Sequence, residues 1–186
     1  LPIGDLRTDA KENLITAIQI ASLQHKNKPV INEVCLYFEY KLYRGNRTTK
    51  INAEHFNAFV SSNYSPLAES GVHLKVNNEL LLPKSGAKKF KVHKKIDDNV
   101  AVIKMFPGIS ENVLSAIINI PNLKGIVLET YGAGNAPTDD WFISLIKKSI
   151  KNGLIIINVT QCAAGSVDMG KYETSSAMKK IGVISG

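Results

Sequence analysis

This sequence is short of cysteine, of histidines at ligand spacing and of long apolar runs. Its 186 residues hold two cysteines, Cys35 and Cys162, which excludes a disulfide-stapled scaffold and a four-cysteine zinc site. His25, His55, His73 and His93 are scattered, so no metal site is expected. No apolar stretch approaches the ~18 residues that a membrane helix needs. The longest is Leu154-Ile155-Ile156-Ile157. Leu1-Pro2-Ile3-Gly4-Asp5 has neither the basic start nor the apolar core of a secretory leader, so none is expected there. The chain opens without Met and closes on Gly182-Val183-Ile184-Ser185-Gly186, a strand running into an uncovered turn. The expectation is a piece of a longer protein.

Hydrophobic residues make up 44% and charged residues 21%. That suits one large domain or two small ones, not a disordered tail. The net charge is +7, which invites a nucleic-acid reading. The excess is confined to one stretch, where Lys84, Lys88, Lys89, Lys91, Lys94 and Lys95 occur between Leu80 and Ile96 without an acid. Without those six, basic and acidic residues nearly balance. With Pro83, Ser85, Gly86 and one aromatic, Phe90, the stretch reads as a solvated linker or hairpin and offers no stacking platform for bases. No nucleic-acid or membrane partner is expected.

The pattern along the chain alternates helix and strand. Asp9 reads as an N-cap with Glu12 as its capping-box partner. Leu14, Ile15, Ile18 and Ala21 then recur at helical spacing to about His25, and Asn27-Lys28-Pro29 ends the helix. A strand is expected from Glu33 to Tyr40, with Leu42 and Tyr43 extending it to a turn at Arg44-Gly45-Asn46. Residues 47–70 read as an ordered loop with a short helix near Ala53 to Phe59. The linker follows at about Asn77 to Lys95. Beyond it, strands are expected at Val100–Met105, Gly125–Glu129 and Leu154–Val159. Helices are expected after Ser110, from about Thr138 to Gly153, and from about Tyr172 to Lys180. This is the βαβ pattern of an α/β fold with a parallel sheet. In such sheets ligands gather at the carboxyl ends of strands. Here those ends carry Glu129 to Asn135 and Thr160 to Gly165, both rich in small and hydrogen-bonding residues.

Single motifs have bland readings beside the functional ones. Gly132-Ala133-Gly134 follows a strand and precedes a helix, but Pro137 stands where a dinucleotide fingerprint needs its third glycine; a tight turn is the better reading, and no cofactor is expected. The sequons at Asn46, Asn63 and Asn158 read as chance matches. Cys162 reads as a small polar residue lining a loop, with a nucleophile as the rival reading. Leu42 to Lys50 is the densest polar cluster. It is either a solvated basic turn or a lysine held beside hydroxyls, which burial could turn into a general base.

That segment, Leu42-Tyr43-Arg44-Gly45-Asn46-Arg47-Thr48-Thr49-Lys50, closely resembles the lysine motif of bacterial type I, cytoplasmic-type L-asparaginases. The likeness continues through Leu1 to Asp9, Ser62 to Leu67, Phe106 to Ser110, Tyr131 to Pro137 and Thr160-Gln161-Cys162, covering essentially the whole chain. The resemblance implies two α/β domains. Residues 1–80 would be the later part of the N-terminal domain, the first incomplete in this chain. Residues 81–97 would be the lysine-rich linker and residues 98–186 the C-terminal domain. It implies a cytoplasmic homo-oligomer, dimer or tetramer, that hydrolyses L-asparagine to L-aspartate and ammonia through a threonine acyl-enzyme.

Lys50 corresponds to the lysine of the family's threonine-lysine-aspartate triad. The family's T-G-G-T-I and T-D-T segments, which carry the threonines and the aspartate, do not occur in this sequence. The isolated chain is therefore expected to be inactive. Asn135 matches the region that contacts substrate across the subunit boundary. Some type I members bind asparagine at a second, allosteric site. There Thr49, Thr160 and Cys162 match, whereas Glu129 stands where an arginine is expected. A carboxylate there would repel an effector's α-carboxylate. The alternative from another class is a non-catalytic module that binds an amino acid without turning it over.

Overall fold

The computed structural model describes residues 3–83, 92–170 and 173–186. The core of the lysine-rich stretch, residues 84–91, and the start of the last expected helix lie outside the described residues. The chain divides into two compact units, Leu1–Phe90 and Lys91–Gly186.

The first unit packs one helix on an antiparallel sheet. Helix α1 spans Ala10–Ala21 and stops four residues short of the expected end. Asp9 occupies the N-cap position but accepts no backbone N–H with its side chain. Thr8 Oγ1 instead accepts the Ala10 N–H at 3.0 Å, Asp9 accepts Asn13 Nδ2, and Glu12 is drawn away by the hydroxyls of Thr16 and Tyr37. The expected capping box is therefore absent.

The helix also faces the other way. Ala10, Asn13, Thr16 and Ile20 are buried, while Leu14, Ile15 and Ile18, the stripe that reveals the helix in the sequence, are 51%, 66% and 61% exposed. Residues expected in its last turn form a hairpin, β1 (Gln24–His25) against β2 (Lys28–Pro29), with Lys26 and Asn27 both at positive φ.

Strand β3 (Cys35–Phe38) turns at once into β4 (Lys41–Arg44), pairing Phe38 with Lys41. The expected continuous strand to Tyr43 is therefore two strands. Its two-residue loop places Glu39 at φ +46° and Tyr40 at φ +64°, a type I′ turn built without glycine or asparagine. The Asn13 Oδ1 of α1 accepts the Glu39 N–H at 3.0 Å and holds that turn from outside. A 3-10 turn at Gly45–Arg47 follows, then β5 (Thr49–Lys50), paired with β6 (Phe59–Val60).

The helix expected near Ala53–Phe59 does not form. Asn52 Oδ1 accepts the N–H groups of Glu54 and His55, and this side chain offers the backbone a turn in place of a helix. Strands β7 (Ala68–Ser70) and β8 (Leu74–Val76) complete the sheet in the order β3-β4-β7-β8. Ile20, Tyr37, Leu42, Leu67 and Ala68 form its core.

The second unit is a parallel α/β layer. Strands β9 (Val100–Lys104), β10 (Gly125–Thr130), β11 (Ile155–Thr160) and β12 (Ile184–Ser185) lie in sequential order, each parallel to the next. Helices α2 (Glu111–Ile118), α3 (Asp140–Lys151) and α4 (Glu173–Lys180) make the crossovers. Ser110 caps α2 by accepting the Val113 N–H, and Gly153 leaves α3 at φ +94°. Ile103, Ile126, Leu128 and Ile156 point into a core filled by Leu114, Phe142, Ile146 and Met178. On the opposite sheet face, Val100, Val102 and Ile155 are exposed.

Candidate functional site

Lys50 lies on β5 with its backbone tied to Phe59, and Ile51 donates its N–H to Ala58 at 2.8 Å. Its side chain is exposed, with the ammonium 5.9 Å from the centroid of the Phe59 ring. Phe59 in turn meets Phe38 edge-on at 5.0 Å. Among the described residues the ammonium touches no hydroxyl or carboxylate. Thr48 donates its hydroxyl proton to the Arg44 carbonyl at 2.8 Å, so that hydroxyl serves the 3-10 turn. Thr49 is exposed beside Lys50 on the hairpin. The arrangement presents an exposed lysine on a backbone-paired strand.

The base of this segment is anchored firmly. Arg44 donates to both Glu33 oxygens and to the Leu80 carbonyl, and its guanidinium lies 4.3 Å above the Tyr64 ring. Tyr64 donates its hydroxyl to the same carbonyl at 2.8 Å. The hydrogen bond from Arg44 holds the Glu33 carboxyl below its ordinary range, against the opposing pull of burial. Burial pushes the Cys35 thiol up to about 11, so it stays protonated at neutral pH and is not an activated nucleophile.

The second unit gathers the other sequence-predicted residues at the carboxyl ends of β10 and β11. Tyr131 and Asn135 exchange backbone hydrogen bonds at 2.9 and 2.8 Å, closing a loop that leaves Asn135 half-buried. Thr160 donates its hydroxyl to the Gly132 carbonyl at 2.5 Å and accepts the Cys162 N–H at 3.0 Å. Gln161 donates to the carbonyls of Met105 and Glu129, tying the ends of β9 and β10 to β11. Beside the loop, Phe106, Pro107, Tyr131, Ala136, Pro137 and Trp141 line an open cavity of about 420 Å³.

Thr160 and Cys162 thus share one turn. Glu129 is opposite Val159, one residue before the Thr130–Thr160 pair, and strand alternation sends it to the other sheet face. Its register neighbour on β9 is Lys104, a cation that the sequence reading did not connect with it. Thr49 belongs to the first unit. Sequence reasoning also missed Thr130, Asn158 and Arg44. A polar residue at the inward position of an otherwise apolar strand was the available signal for the first two. Among the described residues, no three His, Cys, Asp or Glu side chains converge to hold a metal ion. No helix among them is long and apolar enough to cross a membrane.

Residues 1–82 match the family description "Asparaginase, N-terminal", and residues 99–186 match "Glutaminase/Asparaginase C-terminal domain". The chain is 39% identical over its full length to L-asparaginase 1 of Escherichia coli K12, of which it covers 53%. It is also 39% identical over its full length to the Homo sapiens 60 kDa lysophospholipase, of which it covers 31%. The crystal structure of L-asparaginase I from Vibrio cholerae superposes with a TM-score of 0.87 at 38% identity, over 99% of this chain and 54% of that one. The chain spans about half the length of the first of these relatives and less of the second. With both domain signatures in order and an α/β fold to match, the chain belongs to the asparaginase family.

Proposed function

We propose that the protein is an L-asparaginase, hydrolysing L-asparagine to L-aspartate and ammonia through a threonine acyl-enzyme. The reading is carried by Lys50, which sits in the family's lysine motif on a strand whose backbone is paired with β6. In this reading Lys50 takes the proton of a threonine hydroxyl held against it. A hydroxyl is a weak nucleophile until a base removes its proton, and attack on the side-chain amide carbon then expels ammonia. The family's T-G-G-T-I and T-D-T segments do not occur in this sequence, so in this reading the nucleophile comes from elsewhere in the whole protein and the 186-residue chain alone is inactive.

The protein works in the cytoplasm as a homo-oligomer, dimer or tetramer, in which Asn135 contacts asparagine bound at a neighbouring subunit. Thr49, Thr160 and Cys162 match the family's second-site pattern, and Glu129 in place of its arginine leaves activation by asparagine weak or absent. The test is ammonia release from L-asparagine, using the 186-residue chain at verified mass and the whole protein with and without Lys50→Met. Release by the whole protein alone, lost in Lys50→Met, is expected. Tight asparagine binding by the whole protein without ammonia would replace the enzyme by an amino-acid-binding module.

A further inference from the structure

The loop between Tyr131 and Asn135 presents three successive backbone carbonyls, and each is held by a donor from later in the chain. Gly132 accepts the Thr160 hydroxyl at 2.5 Å, Ala133 accepts the Asp168 N–H at 3.0 Å, and Gly134 accepts Asn158 Nδ2 at 3.2 Å. The close approach requires glycine at this point, because Gly134 sits at φ +111° and a Cβ there would come within 2.6 Å of Val167 Cγ1. The Asn158 bond differs from the other two in being completely buried. Asn158 occupies an inward position of β11, where Ile156 two residues earlier is simply apolar. Its amide is oriented by a second buried group: the Thr130 hydroxyl donates to Asn158 Oδ1 at 2.6 Å. That bond claims the oxygen end, so the nitrogen end must face Gly134. A buried amide costs desolvation that a leucine would not, and its two hydrogen bonds tie β11 to the loop at Gly134 and to the end of β10 at Thr130.

We propose that Asn158 is a positioning residue for Asn135. Through the Gly134 carbonyl it sets the angle at which the next residue presents its side chain to asparagine, and Thr130 sets Asn158. This rests on the reading of Asn135 as a substrate contact. Asn158 itself touches no substrate.

The experiment compares Asn158→Leu and Thr130→Val in the whole protein, each with and without Asn135→Ala, by steady-state ammonia release and thermal melting. Asn158→Leu is expected to raise KM for asparagine by about tenfold with kcat changed far less, since a small misplacement of a binding group weakens binding steeply. In the Asn135→Ala background the same change should leave KM within about twofold, because the route through Asn135 is already gone. Thr130→Val should shift KM in the same direction, and Thr130→Ser, which keeps the hydroxyl, should restore it. A lowered Tm with KM unchanged, or an equal rise in KM in both backgrounds, would overturn the proposal. If Asn158→Leu does not fold, the Thr130→Val and Thr130→Ser pair decides on the same criteria.

Absence of hydrolysis by the unsubstituted protein would sink the asparaginase reading instead. The clamp is then read by amide hydrogen exchange in the whole protein. Faster exchange at Gly134 and Asn135 in Thr130→Val, with α3 unchanged, supports it; unchanged exchange at those two amides overturns it.

Discussion

Arg44 holds Glu33 through two donors, Nε at 2.5 Å and Nη2 at 3.3 Å, with the two side chains only 13% and 4% exposed. The pair spans more than itself. Arg44 reaches the Leu80 carbonyl, and Glu33 accepts the Leu82 N–H, so the segment before the lysine motif and the end of the first unit are pinned to one ion pair. Removing one partner leaves the other charge unpaired and poorly solvated. Glu33→Ala is expected to lower stability. The double change Glu33→Leu with Arg44→Met should cost less than either charge removed alone. Denaturant unfolding of the three variants checks this through their midpoints at constant slope.

The same pair sets an acid response. Arg44 lowers the folded pKa of Glu33 below the unfolded value of about 4.5. A depressed carboxylate contributes stability above the unfolded pKa and loses it as pH falls through the folded value. Stability should therefore decline below about pH 4.5. The decline should be shallower in Glu33→Gln, which has no proton to take up. Equal slopes for the two proteins would show that the pair does not govern the response.

The Glu39-Tyr40 turn stores avoidable strain. Both residues are at positive φ, where side chains other than those of glycine and asparagine cost roughly 1–2 kcal/mol each. Tyr40 is exposed, so little packing is lost with its ring. Replacing the pair by Asn-Gly should raise stability by about 1 kcal/mol, the entropy of glycine offsetting part of the gain. A rise in Tm with unchanged far-UV dichroism is the expected result.

Under the proposed function, Glu129 bears on regulation. A carboxylate at that position would oppose an effector's α-carboxylate, and its neighbour in register, Lys104, would offset only part of that charge. The velocity curve of the whole protein against asparagine should be close to hyperbolic. Glu129→Arg should make it sigmoidal. Sigmoidal kinetics in the parent that persist in Glu129→Gln would refute this.

How much of this could be read from the sequence depended on where the deciding contacts lie. Helices α2 and α3 and strands β9 to β11 were legible because their apolar residues face the core of their own unit and their caps are local. Ser110 and Gly153 are examples. Helix α1 was found, but by the wrong face, since its buried stripe contains Asn13 and Thr16. Those residues are buried because partners exist for them, Glu39 N–H and Glu12, which no periodicity reveals. The turn at Glu39-Tyr40 has no composition signal and depends on that same Asn13 bond. The helix expected near Ala53 lost to the side chain of Asn52. Lys50 and Asn135 are candidates taken from a resemblance to family motifs, whereas Asn158 becomes visible only once β11 lies beside the loop it holds.

The outward stripe of Leu14, Ile15 and Ile18 gives α1 the chemistry of an inner layer, greasy on one side and satisfied by specific polar partners on the other. A chain in this form carries adhesive surface into water. Its tendency to self-associate should follow the thermal signature of apolar hydration, weakening as the solution is cooled and strengthening in sulfate. Sedimentation at two temperatures reads this directly, and Ile15→Lys with Ile18→Glu should flatten the difference. The contrast with the polar stripe beneath is informative for engineering. Exchanging the outward residues leaves the bonds of Asn13 and Thr16 in place, so solubility and fold can be tuned independently on the same twelve-residue helix.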